Sequence, residues 1–228
     1  MLNLGMRKCL LLAVNLKLRG YRFVNDGIQF KFMSDSRKQA EAIIPTQYGN
    51  FNMIAFAEQA NDWMPHLALV HEKMNPNQPV LVRIHSECIT GDLFGSHRCD
   101  CGEQLERALQ LTAEKGGIVI YLRQEGRGIG IINKLKAYNL QDEGYDTIDA
   151  NVHLGLDIDA RDYKEALEML QTLGVTKIIL LTNNPDKIEA FENSPIELVS
   201  RMPLEIPSKK ENEAYLHTKK KLMGHLFE

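Results

Sequence analysis

The sequence lacks several features that would assign it at once to a functional class. Its 228 residues contain no apolar run of the roughly 20 residues that a membrane-spanning helix requires. Its net charge is -3 at pH 7, whereas a dedicated nucleic-acid-binding protein usually has a strongly basic balance. We therefore expect no membrane and no nucleic acid as partner. A phosphorylated small molecule is compatible with this charge, because a few arginines focused on one cleft are enough to bind it.

Cysteine is also scarce, and four residues are too few for the disulfide framework of a secreted protein. The first residues place basic side chains ahead of a short apolar stretch, as signal peptides do. However, Lys17 and Arg19 interrupt that stretch and no small-residue cleavage site follows. We therefore expect a cytoplasmic protein. No internal repeat or low-complexity linker divides the chain, so one domain is the simplest organisation.

The order of predicted elements indicates an α/β fold. Residues 1–40 have no clear amphipathic period, and we treat them as an N-terminal extension of uncertain structure in which Met33 could be an initiator. Strands joined by a turn at 48–50 follow, and the early strands succeed one another directly, which predicts an antiparallel portion. Strands and helices then alternate from 79 to 192. The sequence predicts a mixed sheet flanked by helices in a single domain at 41–228.

The remaining elements are predicted from periodicity, caps and turn residues. Strands are expected at 66–71, 79–86, 117–122, 175–182 and near 196–201. Helices are expected from an Asp100 start to Gly116, at 131–141, after a cap at Asp159, near 186–192 and around 212–225.

The stretch HSECITGDLFGSHRCDC, residues 85–101, holds three of the four cysteines. Cys99 and Cys101 fall on the same face of an extended backbone, and Cys88 ends a predicted strand. Gly91 and Gly95 allow the loop between them to fold back. A disulfide is disfavoured in a reducing compartment, and the polar neighbours argue against an inert apolar core. The stretch therefore predicts a metal site, with zinc as the ion.

The spacing alone leaves the role of this metal open. A structural zinc usually has four protein ligands, and His85 or His97 could supply the fourth, whereas Cys9 lies far off in the N-terminal extension. A catalytic zinc keeps three ligands and leaves one position for water. Because three thiolates reduce the acidity of zinc, a catalytic site would need a neighbouring base, for which Glu87 and Asp159 are candidates by residue type.

A second alternative comes from His85 and Glu87 standing ahead of the Cys99–Cys101 pair. Zinc nucleoside deaminases have H-x-E followed by P-C-x-x-C. Here the pair is C-x-C, no proline precedes it, and a cysteine directly follows the glutamate. A deaminase is therefore a weak alternative.

Two polar segments predict phosphate binding. RQEGRGIG (123–130) lies between a predicted strand and a predicted helix, where backbone amides and the helix dipole favour an anion. It matches neither G-x-G-x-x-G nor the P-loop, so Arg123 and Arg127, which can grip phosphate bidentately, carry the prediction. TNNPDK (182–187) ends another predicted strand with a hydroxyl, amides and a lysine; the alternative is an Asn-Pro turn that only caps a helix. For DIDARD (157–162), spacing alone favours a helix cap at Asp159 over catalysis.

Four motifs together resemble the GTP cyclohydrolase II family of riboflavin biosynthesis. They are RIHSECITGDLFGSHRCDCGEQL, RQEGRGIGIINKLKAYNLQDEGYDT, LGLDIDARDY and LLTNNPDK, in the family's order. The likeness runs from about residue 41 to near the C terminus. It implies the family's fold and the hydrolysis of GTP to 2,5-diamino-6-hydroxy-4-(5-phosphoribosylamino)pyrimidine, formate and pyrophosphate. It also implies a cytoplasmic homodimer, and we expect no second riboflavin enzyme within these 228 residues.

The resemblance further implies ligands and contacts at individual positions. Cys88, Cys99 and Cys101 would hold one catalytic Zn²⁺ per subunit, with water completing its shell. Mg²⁺ would accompany the triphosphate of the substrate GTP. The implied nucleotide contacts are Arg83, Ile84, His85, Ser86, Glu87, Gln104, Glu125, Gly126, Arg127, Thr147, Thr182 and Lys187.

Three further residues would act in the reaction itself. Asp159 would be the proton acceptor, and Tyr138 would be needed for the ring chemistry. Arg161 would be the nucleophile toward the α-phosphate, although a guanidinium is almost always protonated, which favours stabilisation of phosphate charge as its role. Two alternatives stay open: a zinc-stabilised nucleotide-binding module without turnover, which would release no formate, and the deaminase, which would release ammonia.

Overall fold

A computed structural model describes residues 37–157 and 159–209, together with residues 211, 212, 221, 224 and 226. The segment 1–36, which holds most of the predicted extension, lies outside the described residues, as does most of the helix predicted at 212–225. The first strand begins at Lys38, so its first three residues fall within the segment 1–40 that was predicted as an extension. None of the helices in the described ranges combines the length and the apolar character needed to cross a bilayer.

One mixed sheet organises this part of the chain, as the sequence predicts. Its strands stand in the order β1-β2-β3-β5-β4-β6-β7. Strands β1, β2, β3 and β5 pair antiparallel, whereas β5, β4, β6 and β7 pair in parallel. The strands are β1 Lys38–Thr46, β2 Gly49–Phe56, β3 His66–His71, β4 Val80–Ser86, β5 Ile118–Leu122, β6 Lys177–Leu181 and β7 Glu197–Met202.

The helices lie mainly in the connections of the parallel half. A 3₁₀ turn at Glu125–Gly128 follows β5. The α-helices are α1 Ile89–Asp92, α2 Cys101–Lys115, α3 Gly130–Asp142, α4 Thr147–His153, α5 Lys164–Thr172 and α6 Pro185–Glu189.

Alternation along the central strands divides the core into two layers. One cluster of buried side chains includes Val82 and Ile84 of β4 with Met169 of α5, and the other includes Leu81 of β4 with Ala108 of α2. Successive side chains of a strand point to opposite faces of the sheet. Arg83 and His85 therefore lie on the face that α2 covers, and the Arg83 guanidinium does contact α2 through Gln104. Burial on both faces explains why β4 is rich in Val, Leu and Ile, and it also buries Arg83 and His85 of this strand.

Helix α2 begins and ends where the sequence predicts. Asp100 is its N-cap residue, and Gly116 ends it with a φ of +72°. Only glycine fits this end easily, because a Cβ on Gly116 would lie 2.4 Å from the carbonyl oxygen of Lys73. This end brings the chain directly into β5.

Three local predictions are wrong. Gly49 and Asn50 belong to β2, so only Gln47 and Tyr48 connect the first two strands. No helix was predicted between residue 141 and Asp159, but α4 lies there, and Asp146 caps it by accepting hydrogen bonds from two backbone amides. Asp159 caps no helix, because α5 begins at Lys164, whose amide donates to Asp162. Short helices held by a single cap give too little periodicity to be found from the sequence.

Candidate functional site

A cavity of about 140 Å³ opens where the parallel strands end. The carboxyl ends of β4, β5 and β6 meet at one edge of the sheet because these strands run in the same direction. The chain passes from β4 to β5 on one side and from β5 to β6 on the other, so it changes direction at β4. Such a switch point leaves a crevice beyond the strand ends, which is the usual ligand position in parallel α/β sheets.

Most of the residues predicted for the site line this cavity. Ile84 and Asp159 are not among its lining residues: Ile84 is buried in the core, and Asp159 is paired with Arg161, which does line the cavity. The predicted residues that line the cavity are Arg83, His85, Ser86, Glu87, Cys88, Cys99, Cys101, Gln104, Glu125, Gly126, Arg127, Tyr138, Thr147, Arg161, Thr182 and Lys187.

Cys88, Cys99 and Cys101 converge into one group, which we call the three-cysteine cluster. All three sulfur atoms lie within 4.8 Å of one another, and the Sγ atoms of Cys88 and Cys99 are 3.5 Å apart. Thiolates bound ~2.3 Å from one tetrahedral zinc lie ~3.8 Å apart. The cluster therefore fits a zinc ion. A disulfide does not fit, because an S–S bond is about 2.05 Å long.

Two glycines allow the cysteine-bearing segments to approach. Gly91 of α1 packs against the cluster, where a Cβ would lie 3.0 Å from the sulfur of Cys99. A Cβ on Gly102 of α2 would lie 2.3 Å from the carbonyl oxygen of Gly91. Any larger residue at either position would push apart the two segments that carry the sulfurs.

The described part of the chain offers three protein ligands at this point. Neither His85 nor His97 belongs to the cluster, because His85 Nε2 lies 3.1 Å from the Asp92 carboxylate and His97 is exposed. Cys9 lies outside the described residues. Three ligands are typical of a catalytic zinc rather than a structural one. The position of His85 also contradicts the deaminase alternative, in which the first histidine would be a ligand.

The thiols of the cluster differ in their electrostatics. Hydrogen bonds from Cys101 and Cys99, together with the nearby Lys134 ammonium, lower the pKa of Cys88 well below its ordinary value. The hydrogen bond to Cys88 raises the pKa of Cys101. Burial by itself would lower the pKa of Lys134, but attraction to Cys88 and the hydrogen bond to Glu125 outweigh burial and raise the pKa above its ordinary value. This side chain is therefore an ammonium at neutral pH. These surroundings therefore favour deprotonation of Cys88.

Asp92 organises the polar side chains beside the cluster, a role that sequence reasoning missed. Its carboxylate accepts hydrogen bonds from the Tyr121 hydroxyl at 2.8 Å, from the backbone amide of Cys88 at 3.0 Å and from His85. Burial lowers the pKa of His85 against the opposing effect of Asp92, so the ring is neutral and donates from Nε2. Asp92 thereby fixes the start of the cysteine segment.

The glycine-rich loop has a left-handed backbone at three successive residues. Gly126, Arg127 and Gly128 have φ values of 62°, 62° and 90°. A left-handed arginine costs about 1 kcal/mol, a strain that is common at binding sites. The Arg127 carbonyl oxygen accepts a hydrogen bond from the Ala160 amide at 3.0 Å, which joins this loop to the segment that carries Arg161.

Asp159 and Arg161 form a bidentate ion pair. The Arg161 Nε atom lies 2.8 Å from Oδ1 of Asp159, and the second nitrogen of the guanidinium contacts Oδ2. Burial by itself would raise the pKa of Asp159, but the hydrogen bonds and the charge of Arg161 lower it below its ordinary value. Asp159 is therefore a carboxylate, and it orients Arg161 along the cavity wall.

The end of β6 combines both interpretations of its motif. Asn184 caps α6 by accepting a hydrogen bond from the Asp186 amide, as a turn alone would require. The same segment also places Thr182 and Lys187 on the cavity wall, and the Lys187 ammonium donates to the carbonyl oxygen of Ile84 at 2.8 Å. The same short segment thus forms the helix cap and contributes Lys187 to what we call the cationic wall of the cavity, formed by Arg127, Arg161 and Lys187.

Arg123 does not take the position predicted for it. Its guanidinium lies 2.5 Å from the Glu87 carboxylate and donates to the Pro65 carbonyl oxygen, and it does not line the cavity. Because the Glu87 carboxylate is paired with Arg123, it is not placed as the neighbouring base that a catalytic zinc would need. Sequence spacing could not show the pairing, because the two residues are 36 positions apart.

Tyr138 and several residues that the sequence did not single out complete the walls. Burial raises the pKa of Tyr138 to about 12, so its phenol is neutral. Arg98 lies 4.9 Å from the centre of its ring. The additional lining residues include Arg98, Lys134 and Asn151, which were not candidates, and Gln124, Asn183 and Asn184 from the two segments that were predicted to bind phosphate.

Comparisons with known proteins point to one family. The sequence model described as GTP cyclohydrolase II matches residues 37–203. "Riboflavin biosynthesis protein RibBA" of Bacillus cereus is 50% identical over 190 residues, which cover 83% of this chain and 48% of that protein. The proteins of the same name from Chlorobium phaeovibrioides and Phocaeicola vulgatus are 50% and 47% identical, covering 83% and 89% of this chain and 46% and 50% of theirs. The chain thus spans about half the length of these curated relatives.

One solved structure also aligns with the chain. It is the crystal structure of RibBX, described as a two-domain 3,4-dihydroxy-2-butanone 4-phosphate synthase from A. baumannii. The TM-score is 0.37 at 20% identity, and the alignment covers 75% of this chain and 40% of that one. This similarity is too low to indicate a shared arrangement.

Proposed function

Because the chain belongs to the GTP cyclohydrolase II family, we propose that it catalyses the first step of riboflavin biosynthesis. In this reaction GTP is hydrolysed to 2,5-diamino-6-hydroxy-4-(5-phosphoribosylamino)pyrimidine with release of formate and pyrophosphate. The observation that carries the proposal is that the three-cysteine cluster lines the same cavity as the cationic side chains of Arg127, Arg161 and Lys187. Hydrolysis of GTP would need a metal site for the chemistry on the purine ring and cationic side chains for the phosphates.

The three-cysteine cluster is the candidate holder of one Zn²⁺ per subunit. A zinc ion there would supply a Lewis acid that makes water nucleophilic near neutral pH. The chain's own contribution is to fix the three sulfurs, through the close approach of Gly91 to Gly102 and the contact of Asp92 with the Cys88 amide.

The cationic wall would bind the triphosphate, accompanied by Mg²⁺. Arg127 and Arg161 can each offer two parallel N–H donors to phosphate oxygens, and Lys187 adds a point charge. The nucleotide contacts expected from the sequence remain our proposal, except that Ile84 and Glu125 would act indirectly, through other residues of the site. Ile84 would act through its carbonyl oxygen, which holds Lys187. Glu125 would act on the loop, because it accepts hydrogen bonds from two backbone amides and from Lys134.

Three side chains would serve the chemistry. Asp159 would be the proton acceptor, a role that requires its ionised state, and it holds Arg161, which would stabilise the charge on the α-phosphate. The neutral phenol of Tyr138 can donate a hydrogen bond to the base as its imidazole ring opens. These roles use each group in the protonation state that its surroundings favour.

We also propose a cytoplasmic homodimer. The described surface exposes the apolar side chains of Leu93, Phe94, Ile132 and Leu135, which a second copy could cover. A reducing compartment keeps the three thiols available for metal. Light scattering should therefore give twice the mass of the chain, and a monomer at micromolar concentration would contradict this part of the proposal.

The enzyme proposal is tested by following formate and pyrophosphate release from GTP by the zinc-loaded full chain. Cys99→Ser should lose bound zinc and at least about 100-fold in activity, because a ligand is removed. Cys9→Ser should retain both, since the described chain already provides three ligands. GTP binding without formate release would favour the binding module.

A further inference from the structure

Helix α3 buries a lysine and exposes aliphatic residues, the reverse of an ordinary amphipathic helix. Lys134 is 9% exposed, whereas Ile132 and Leu135 on either side of it are 69% and 50% exposed. A buried lysine is costly unless its charge is paired. Its position therefore needs a specific partner.

The ammonium of Lys134 finds three partners. It donates to the sulfur of Cys88 at 3.1 Å, to the hydroxyl of Thr90 at 3.0 Å and to the carboxylate of Glu125 at 2.8 Å. An ammonium has three donors, so these contacts use its full capacity. One helix residue thus links the cysteine segment to the glycine-rich loop.

The contact with sulfur has a consequence for any metal held by the cluster. Three thiolates around a divalent ion leave a net negative charge and reduce its Lewis acidity. A charge-assisted hydrogen bond to one sulfur withdraws electron density from that ligand. Interactions of this kind, one step away from the metal, orient its ligands and tune its reactivity.

We propose that Lys134 is a positioning residue of the three-cysteine cluster, whose ammonium offsets thiolate charge at Cys88 while Glu125 ties it to the glycine-rich loop. The inference rests on the proposed function, since it assigns a role toward the metal of that reaction. It explains why α3 buries a cation at this point and why Glu125 is turned away from solvent.

The test uses the full chain loaded with Co²⁺, whose thiolate-to-metal charge-transfer absorption reports the electron density on sulfur. In Lys134→Met the band should move to longer wavelength, because the thiolate loses its hydrogen bond. Lys134→Arg should keep a band close to that of the unmodified protein. Lys136→Met is the matched control on the same helix, where an exposed lysine is replaced, and it should change nothing. If Lys134→Met does not fold, Lys134→Gln replaces it in the same measurement.

Kinetics with the zinc-loaded proteins provide the second measurement. Lys134→Met should lower kcat about 10-fold or more, as is typical for such partners of a metal ligand, with KM for GTP little changed. Lys134→Arg should restore part of the loss. An unshifted cobalt band in Lys134→Met, or equal losses in the Met and Arg variants, would overturn the inference. If the unmodified protein binds cobalt but does not turn over GTP, the proposed function fails while the band shift still decides the role of Lys134.

Discussion

The antiparallel and parallel halves of the sheet differ in burial and in what their strand ends carry. Seven of the nine positions of β1 are exposed, whereas six of the seven positions of β4 are buried. The carboxyl ends of antiparallel neighbours alternate between two edges of a sheet, but those of parallel neighbours meet at one edge. Side chains that follow β4, β5 and β6 therefore surround one cavity. The difference shows that strand direction, rather than residue type alone, determines where the site forms.

The largest expected effect tests the contrast in burial. Ile118→Ala in β5 should lower the free energy of unfolding by about 2–5 kcal/mol, because Ile118 is completely buried and its removal leaves a cavity. Ile43→Ala in β1, where the side chain is 62% exposed, should change it by less than about 0.5 kcal/mol. Urea denaturation measures both. Equal losses would mean that the antiparallel half contributes as much to the core as the parallel half.

An intermediate effect is expected at the glycine-rich loop. Gly128→Ala and Gly130→Ala both place alanine at a positive φ, which costs about 1 kcal/mol. At Gly128 the new Cβ would also lie 3.2 Å from Ala160, whereas nothing lies within 4 Å at Gly130. Gly128→Ala should therefore lose about 1 kcal/mol more stability.

The same pair of variants also tests whether the glycine-rich loop and the segment that carries Arg161 are joined in function. Displacement of Ala160 moves the segment that holds Asp159 and Arg161, so Gly128→Ala should lower GTP turnover more than Gly130→Ala does. Thermal unfolding and formate release measure the two effects. Identical activities for the two variants would show that the loop and this segment are not mechanically joined.

The smallest effect concerns pH. The pKa of Asp159 in the folded protein lies below its ordinary value of 3.8, because the hydrogen bonds and charge of Arg161 outweigh burial. Its contribution to stability is thus present above that value and is lost as pH falls through the lowered folded pKa. Asp159→Asn should be less stable than the unmodified protein by at most about 1 kcal/mol near neutral pH, since solvent screens the pair.

Acid titration of unfolding provides the check. The difference between the Asp159→Asn variant and the unmodified protein should disappear at the acid end of the titration. Glu41→Gln in β1 is the control, because the hydrogen bond from Lys38 lowers the pKa of Glu41 but this side chain is exposed and its ion pair is screened by solvent. That variant should follow the unmodified protein at every pH. A difference for Asp159→Asn that persists undiminished in acid would show that its effect is not electrostatic.

Much of the fold was predictable from local patterns. The segment rich in Val, Leu and Ile that forms β4, and the helix between Asp100 and Gly116, can each be recognised from their own consecutive residues. The three cysteines were also accessible, because they lie within fourteen positions among polar neighbours. Helix α4 was missed because it has only seven residues and depends on one cap at Asp146.

The parts of the site that could not be predicted all depend on pairings between distant residues. Arg123 was predicted to bind phosphate, but in the structure it is paired with Glu87. Lys134 reads as a surface lysine until α3 is seen to turn it toward Cys88, 46 positions away. Local periodicity carries no information about contacts between distant residues, so these pairings appear only when the strands and helices are packed together.

The sequence by itself determined the alternation of strands and helices, the candidate metal ligands and the glycine-rich loop, because each depends on residues that are near one another in the chain. Only the tertiary structure decided which polar groups face the cavity and which neutralise each other behind it. The physical reason is that a buried charge must be paired, and its partner is set by the packing of strands and helices rather than by their order.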